Sequence, residues 1–141
     1  MLIRLLPEQI PNYIDAIKET VNQSIPHCDE ETKTNLIKEL LMETAQCWLS
    51  ELDDKFDGIL ITQTRHDIAL GKKVFTCLCV YAPEGTEERS FMEGFPTLVK
   101  YAKAHDCKVV DFYSDNPELL KYARMFNVIH EATYIQLSLE Q

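Results

Sequence analysis

Lys73-Val74-Phe75-Thr76-Cys77-Leu78-Cys79-Val80-Tyr81-Ala82 is the longest β-type apolar run of the chain, and Pro83-Glu84-Gly85-Thr86 breaks it. β-Branched and aromatic residues fill a run of strand length that ends in turn residues, so it reads as a central strand, buried on both faces. A helix is expected next, over residues 87–105, where Phe91, Phe95, Leu98 and Ala102 recur at helical spacing with Met92 and Val99 beside them. Gly94 and Pro96 interrupt it. Proline removes a backbone hydrogen bond from an interior turn, so the helix either kinks there or begins near Gly94. Residues 108–114 form the next strand. A strand–helix–strand unit in one sheet closes as a right-handed crossover, which puts Tyr81 and Val109 on adjacent parallel strands with the helix on one face.

Working outward, residues 2–6 read as a short first strand. Pro7 opens a helical segment carrying Ile10, Ile14, Ile17 and Val21, and Pro26 ends that unit. Asp29, Glu30 and Glu31 place negative charge where a helix N-terminus favours it, and Leu36, Ile37, Leu40 and Leu41 give the second helix its apolar stripe. Residues 47–52 read as a strand, Asp53-Asp54-Lys55 as a turn and residues 56–64 as a further strand. Gln63-Thr64-Arg65-His66-Asp67, with Gly71-Lys72, reads as a polar connection. Beyond residue 114, Asp115-Asn116-Pro117-Glu118 starts a helix whose core face is Leu119, Leu120, Tyr122, Ala123 and Phe126, and Asn127 is suited to end it. Residues 128–139 read as a final strand or pair. The order is β-α-α-β-β-β-α-β-α-β: an α+β fold in a single domain, 1–141, with a mixed sheet built from an antiparallel meander and a parallel crossover.

The 141 residues, 45% apolar and 26% charged, suffice for one core without staples. Fourteen basic against 23 acidic residues give a net charge of −9, which argues against general nucleic-acid binding. No apolar run approaches the ~20 residues that cross a bilayer, and the first residues do not read as a signal peptide. Cys28, Cys47, Cys77, Cys79 and Cys107 are odd in number and irregular in spacing, and four lie in apolar stretches. They are expected to be reduced and mostly buried, which fits a cytoplasmic setting.

The element order resembles that of the GNAT acyltransferases over almost the whole chain. Val80-Tyr81-Ala82-Pro83 before an acidic helix start is similar to that family's acyl-CoA-binding strand-to-helix unit. Lys100-Tyr101-Ala102-Lys103-Ala104-His105-Asp106-Cys107 is similar to the usual end of that helix, and the stretch from Asn116 to Val128 resembles the family's last helix. The resemblance implies acetyl-CoA along Cys79, Val80, Tyr81 and the following loop, with Arg89, Ser90 and Asn116 contributing. It implies an amine-bearing small molecule or protein as acyl acceptor; the lack of a long apolar run leaves no membrane partner expected.

The departures matter as much. The family wraps the CoA pyrophosphate in a glycine-rich loop whose N–H groups approach the phosphates. Here Thr86-Glu87-Glu88-Arg89-Ser90-Phe91 has no glycine and sets two carboxylates where phosphates belong; Arg89 alone compensates. The family's general acid is a tyrosine on the last helix. Counted from Asn116 that slot falls on Ala123, and Tyr122 stands one residue early, a rotation of ~100°. The central strand offers no acidic base, which leaves Asp111 and Glu51 as substitutes by chemistry alone. Small GNAT-like proteins of tailed phages, including internal virion proteins of podophages, show similar erosion, and Val128-Ile129-His130-Glu131 resembles their ending. Two readings stand: an N-acetyltransferase with a degenerate cofactor loop, or a catalytically inactive GNAT-fold binding or virion-associated protein.

Other polar residues have simpler readings. His27-Cys28-Asp29 reads as a helix-start loop capped by Asp29 rather than a metal site. His105 suits a helix C-terminus, His66 a solvated connection, and His130 lies in the expected last strand. Trp48 and Tyr81 suit either a groove or ordinary packing against helices. Glu84, Glu87 and Glu88 suit a cationic substrate or, more simply, a solvated helix start.

Overall fold

The computed structural model describes residues 1–25, 27–82, 88–113 and 117–140. Strands β1 (Leu2–Arg4), β2 (Ala45–Leu52), β3 (Lys55–Asp67), β4 (Lys72–Tyr81) and β5 (Val109–Phe112) form one sheet in that spatial order. β1 to β4 are antiparallel neighbours. β4 and β5 run parallel, Val74 opposite Val109 and Cys77 opposite Phe112. The crossover between them is α3 (Glu88–Ala104), which continues unbroken through Pro96 rather than starting at Gly94.

Helices α1 (Ile14–Ser24) and α2 (Glu30–Leu41) cover one face of the sheet, and a 3₁₀ segment, Pro7–Tyr13, leads into α1. The Asp29 carboxylate accepts from the Thr32 N–H at 2.8 Å and so caps α2. Ile17, Val21 and Leu40 pack on Cys47, Leu49 and Ile61. On the other face Leu98 and Ala102 of α3 pack on Trp48, Leu60, Phe75 and Cys77. A buried polar chain crosses this second layer. Trp48 Nε1 donates to Thr62 Oγ1, which donates to Gln46 Oε1, both at 2.9 Å, so the indole N–H and the Thr62 hydroxyl are both met. The fourth helix, α4 (Pro117–Ala123), follows β5.

Asp53 and Asp54 form the two-residue β2–β3 turn with φ of 53° and 63°. Left-handed geometry at both positions matches strand twist, and aspartate tolerates it. All five cysteines are free thiols, four of them buried. Among the described residues no helix is long and apolar enough to cross a membrane, and no cluster of His, Cys, Asp and Glu is arranged to hold a metal.

Two expectations are corrected. Gln63 to Asp67 is not a connection: it is the outer part of β3, paired with Lys72 to Thr76. Its polar side chains are used within the sheet, with Arg65 bonded to Thr76. The final strand over residues 128–139 does not form in this chain. That segment pairs with no strand and lies exposed, Ile135 at 74% and Leu137 at 83%, although β5 is an edge strand of the sheet and Tyr134 stacks on Tyr113 at its end with centroids 5.1 Å apart.

Candidate active site

β4 and β5 part after Cys77 and Phe112. Among the described residues their last main-chain bond runs from the Tyr113 N–H to the Cys77 carbonyl at 3.0 Å. At the same level the β3 pairing steps from Thr62–Cys77 to Ile61–Cys79, leaving Leu78 as the extra residue of a β-bulge. The bulge resets the alternation. Leu78 and Cys79 both turn toward α1 and α2, whereas Cys77 and Val80 belong to the α3 side.

The Val80 N–H and carbonyl consequently face the opened edge. Both are met by one hydroxyl: the Val80 N–H donates to Ser24 Oγ at 3.1 Å, and Ser24 donates to the Val80 carbonyl at 2.9 Å. By strand alternation the main-chain groups of Cys79 and Tyr81 point to β3, opposite Ile61 and Ile59.

Beside this edge β4, α3, β5 and α4 enclose a largely apolar cavity of about 70 Å³, walled by Val80, Phe95, Phe112, Leu119 and Tyr122 among others. Phe95 stacks on Phe126 with centroids 4.2 Å apart and meets Tyr122 edge-on at 6.1 Å. Gly58 lies in the wall because a Cβ there would come within 2.7 Å of the Tyr81 carbonyl oxygen. The polar rim comes from the start of α3. Ser90 donates to the Asp57 carboxylate, and Arg89 pairs with Asp53 at 2.8 Å. Arg89 and Ser90, which the resemblance assigns to the cofactor, are thus both engaged by carboxylates of the β2–β3 hairpin.

The expected site residues divide. Val80, Tyr81, Ser90 and Tyr122 line this cavity together. Cys79 turns away into the α1/α2 core, where burial pushes its thiol up to about 12, so it is no nucleophile at neutral pH. Asp111 lies on β5 with its carboxylate bound to Arg65 at 2.9 Å, and it does not line the cavity. Glu51 follows the Ser50/Glu51 irregularity of β2, opposite Phe56, and is not in the wall either. Tyr122, Asp111 and Glu51 therefore do not converge. Asn116, Glu84 and Glu87 lie outside the described residues, as does the side chain of Glu88. Trp48 packs edge-on against Tyr101 at 5.1 Å, as a core residue. Sequence reasoning missed Ser24, Asp57 and Gly58. An Asp-Gly pair inside a strand was the available signal for the last two; nothing local marks Ser24, which meets Val80 across 56 residues.

No family model matches the sequence, and no curated protein matches it. Solved structures do match. The fold is that of the GNAT acetyltransferases. A probable acetyltransferase superposes over 100% of this chain and 99% of its own with a TM-score of 0.72 at 14% identity. A predicted acetyltransferase from Clostridium acetobutylicum, solved with acetyl-CoA, gives 0.67 at 15% identity over 99% and 96% of the two chains. The aminoglycoside N-acetyltransferase AAC(6')-Iy, solved with CoA, gives 0.67 at 11% identity over 97% and 93%.

In its own residues the site sets the Val80 main-chain edge, bonded to Ser24, beside a largely apolar cavity. For a pyrophosphate the described rim offers Arg89, already ion-paired.

Proposed function

We propose that the protein is an N-acyltransferase of the GNAT type, with acetyl-CoA as donor and an amine-bearing small molecule or protein as acceptor. The observation that carries this reading is the parting of β4 and β5 beside an apolar cavity that ends on Tyr122. The donor would supply an activated thioester. Val80 then offers the edge N–H suited to polarise a carbonyl, a role in which a fixed donor lowers the barrier to attack. Tyr122 is the proposed general acid, since its ring lines the cavity. Neither expected base stands in that wall, so removal of the acceptor's proton is assigned to water. Titration calorimetry with acetyl-CoA, followed by an acetyl-transfer assay over a panel of amines that includes aminoglycosides, tests the reading. Saturable binding with release of free thiol supports it.

A second reading has its own observation. Arg89 bound to Asp53 and Ser90 bound to Asp57 suit a rim that no longer serves phosphate. On this reading the fold is kept as a binding or virion-associated scaffold with a degenerate cofactor loop. Absence of any acetyl-CoA binding in the same titration would favour it.

A further inference from the structure

Ser24 is the last residue of α1, and its hydroxyl fills both hydrogen-bonding positions of Val80, accepting at 3.1 Å and donating at 2.9 Å. A backbone amide at an opened strand edge normally waits for another strand. Here the edge is already satisfied by a side chain that can swing away by a single χ1 rotation while α1 stays anchored through buried Ile17 and Val21.

We infer that Ser24 determines which ligands the β4 edge accepts: it stands in for an amide, and only a chain that brings both a carbonyl oxygen and an N–H displaces it without loss. The inference rests on the acyl-donor reading above. A ligand carbonyl at the Val80 N–H and a ligand N–H at the Val80 carbonyl restore both bonds. An ether or ester chain restores one and leaves the partly buried Val80 carbonyl without its bond, at a cost. The chemical class selected is an extended secondary amide, the chemistry of a pantetheine arm. The same hydroxyl opposes every ligand, because binding must first break its two bonds.

The test uses S-acetylpantetheine, which carries the amides but no phosphate, beside acetyl-CoA, on the full chain. Ser24→Ala removes the competing hydroxyl, and Ser24→Thr retains it. Ser24→Ala is expected to bind S-acetylpantetheine at least about tenfold more tightly, and Ser24→Thr to bind as the native protein does. In the free Ser24→Ala protein the Val80 amide should exchange with deuterium faster. Equal affinity in the native and Ser24→Ala proteins overturns the role of Ser24 and leaves the acyl-donor reading standing. No binding of either probe to any variant overturns both. If Ser24→Ala does not fold, the Val80 amide resonance of the native protein decides. A shift on saturation with S-acetylpantetheine, with exchange protection kept, supports displacement; an unshifted resonance overturns it.

Discussion

Arg65 on β3 donates from Nη2 to Asp111 Oδ2 on β5 at 2.9 Å, reaching across β4, where its Nε also donates to Thr76 Oγ1 at 3.0 Å. One guanidinium thus ties three strands together one residue before the last β4–β5 pair, Cys77–Phe112. Partial burial works against the Arg65 charge, but the carboxylates of Asp111 and Asp67 more than offset it and raise its pKa. Both side chains are about one third exposed, 31% and 33%, so solvent screens the pair. A double-mutant cycle of Arg65→Gln and Asp111→Asn, read by urea unfolding, should give a coupling of about 1 kcal/mol. A coupling indistinguishable from zero would show that the tie is geometric only.

Two glycines of the cavity wall should respond in opposite directions. Gly94 is inside α3, and a Cβ there meets only Leu2 side-chain carbons at 3.8 Å, an ordinary contact. Gly94→Ala should stabilise the fold by about 0.5–1 kcal/mol through helix propensity. Gly58→Ala would drive a methyl to 2.7 Å from the Tyr81 carbonyl oxygen, a backbone atom that cannot move without opening the β3–β4 pair. It should cost about 1–3 kcal/mol. Thermal unfolding of the two variants checks both signs.

The buried thiols set an alkaline limit. Burial raises Cys47 and Cys79 from 9.0 to about 12 and raises Cys77 as well. A thiol whose folded pKa lies above its unfolded value binds its proton more tightly when folded. Its contribution is complete below about pH 9 and is lost as pH rises toward 12. Urea unfolding at about pH 8 and about pH 10 should show falling stability, by up to about 1.4 kcal/mol per pH unit for each thiol. Cys79→Ala should flatten that slope. An unchanged slope would place the titration elsewhere.

The sequence made the crossover legible because both of its strands and α3 bury strong apolar patterns, and local pattern and tertiary need agree there. The outer half of β3 was illegible for the opposite reason. Arg65 satisfies its charge on neighbouring strands, and a polar run gives no sign of such distant partners. Residues 128–139 misled in the other direction: Ile135, Leu137 and Leu139 alternate as a strand would, yet they make no ladder with β5, although β5 ends the sheet and Tyr134 stacks on Tyr113 beside it. Of the residues expected at the site, Tyr81 and Tyr122 do line the cavity. The Ser24–Val80 contact depends on how α1 docks on the sheet, which no spacing along the chain records.

Tyr122 gives the proposed chemistry its sharpest check. Its ring is 8% exposed, meets Phe95 and Phe126 edge-on, and lines the cavity next to the parted strands. Tyr122→Phe keeps the ring and its aromatic contacts and removes only the hydroxyl, so thermal stability should shift little. If that hydroxyl protonates the departing thiolate, kcat should fall by about 10²–10⁴-fold, while acetyl-CoA affinity and KM for the amine stay near native values. That split separates a group acting on the leaving atom from one that shapes the pocket, since a packing role would move affinity with rate. An unchanged kcat in a folded Tyr122→Phe protein would remove Tyr122 from the chemistry, and the thiolate would then leave by protonation from solvent.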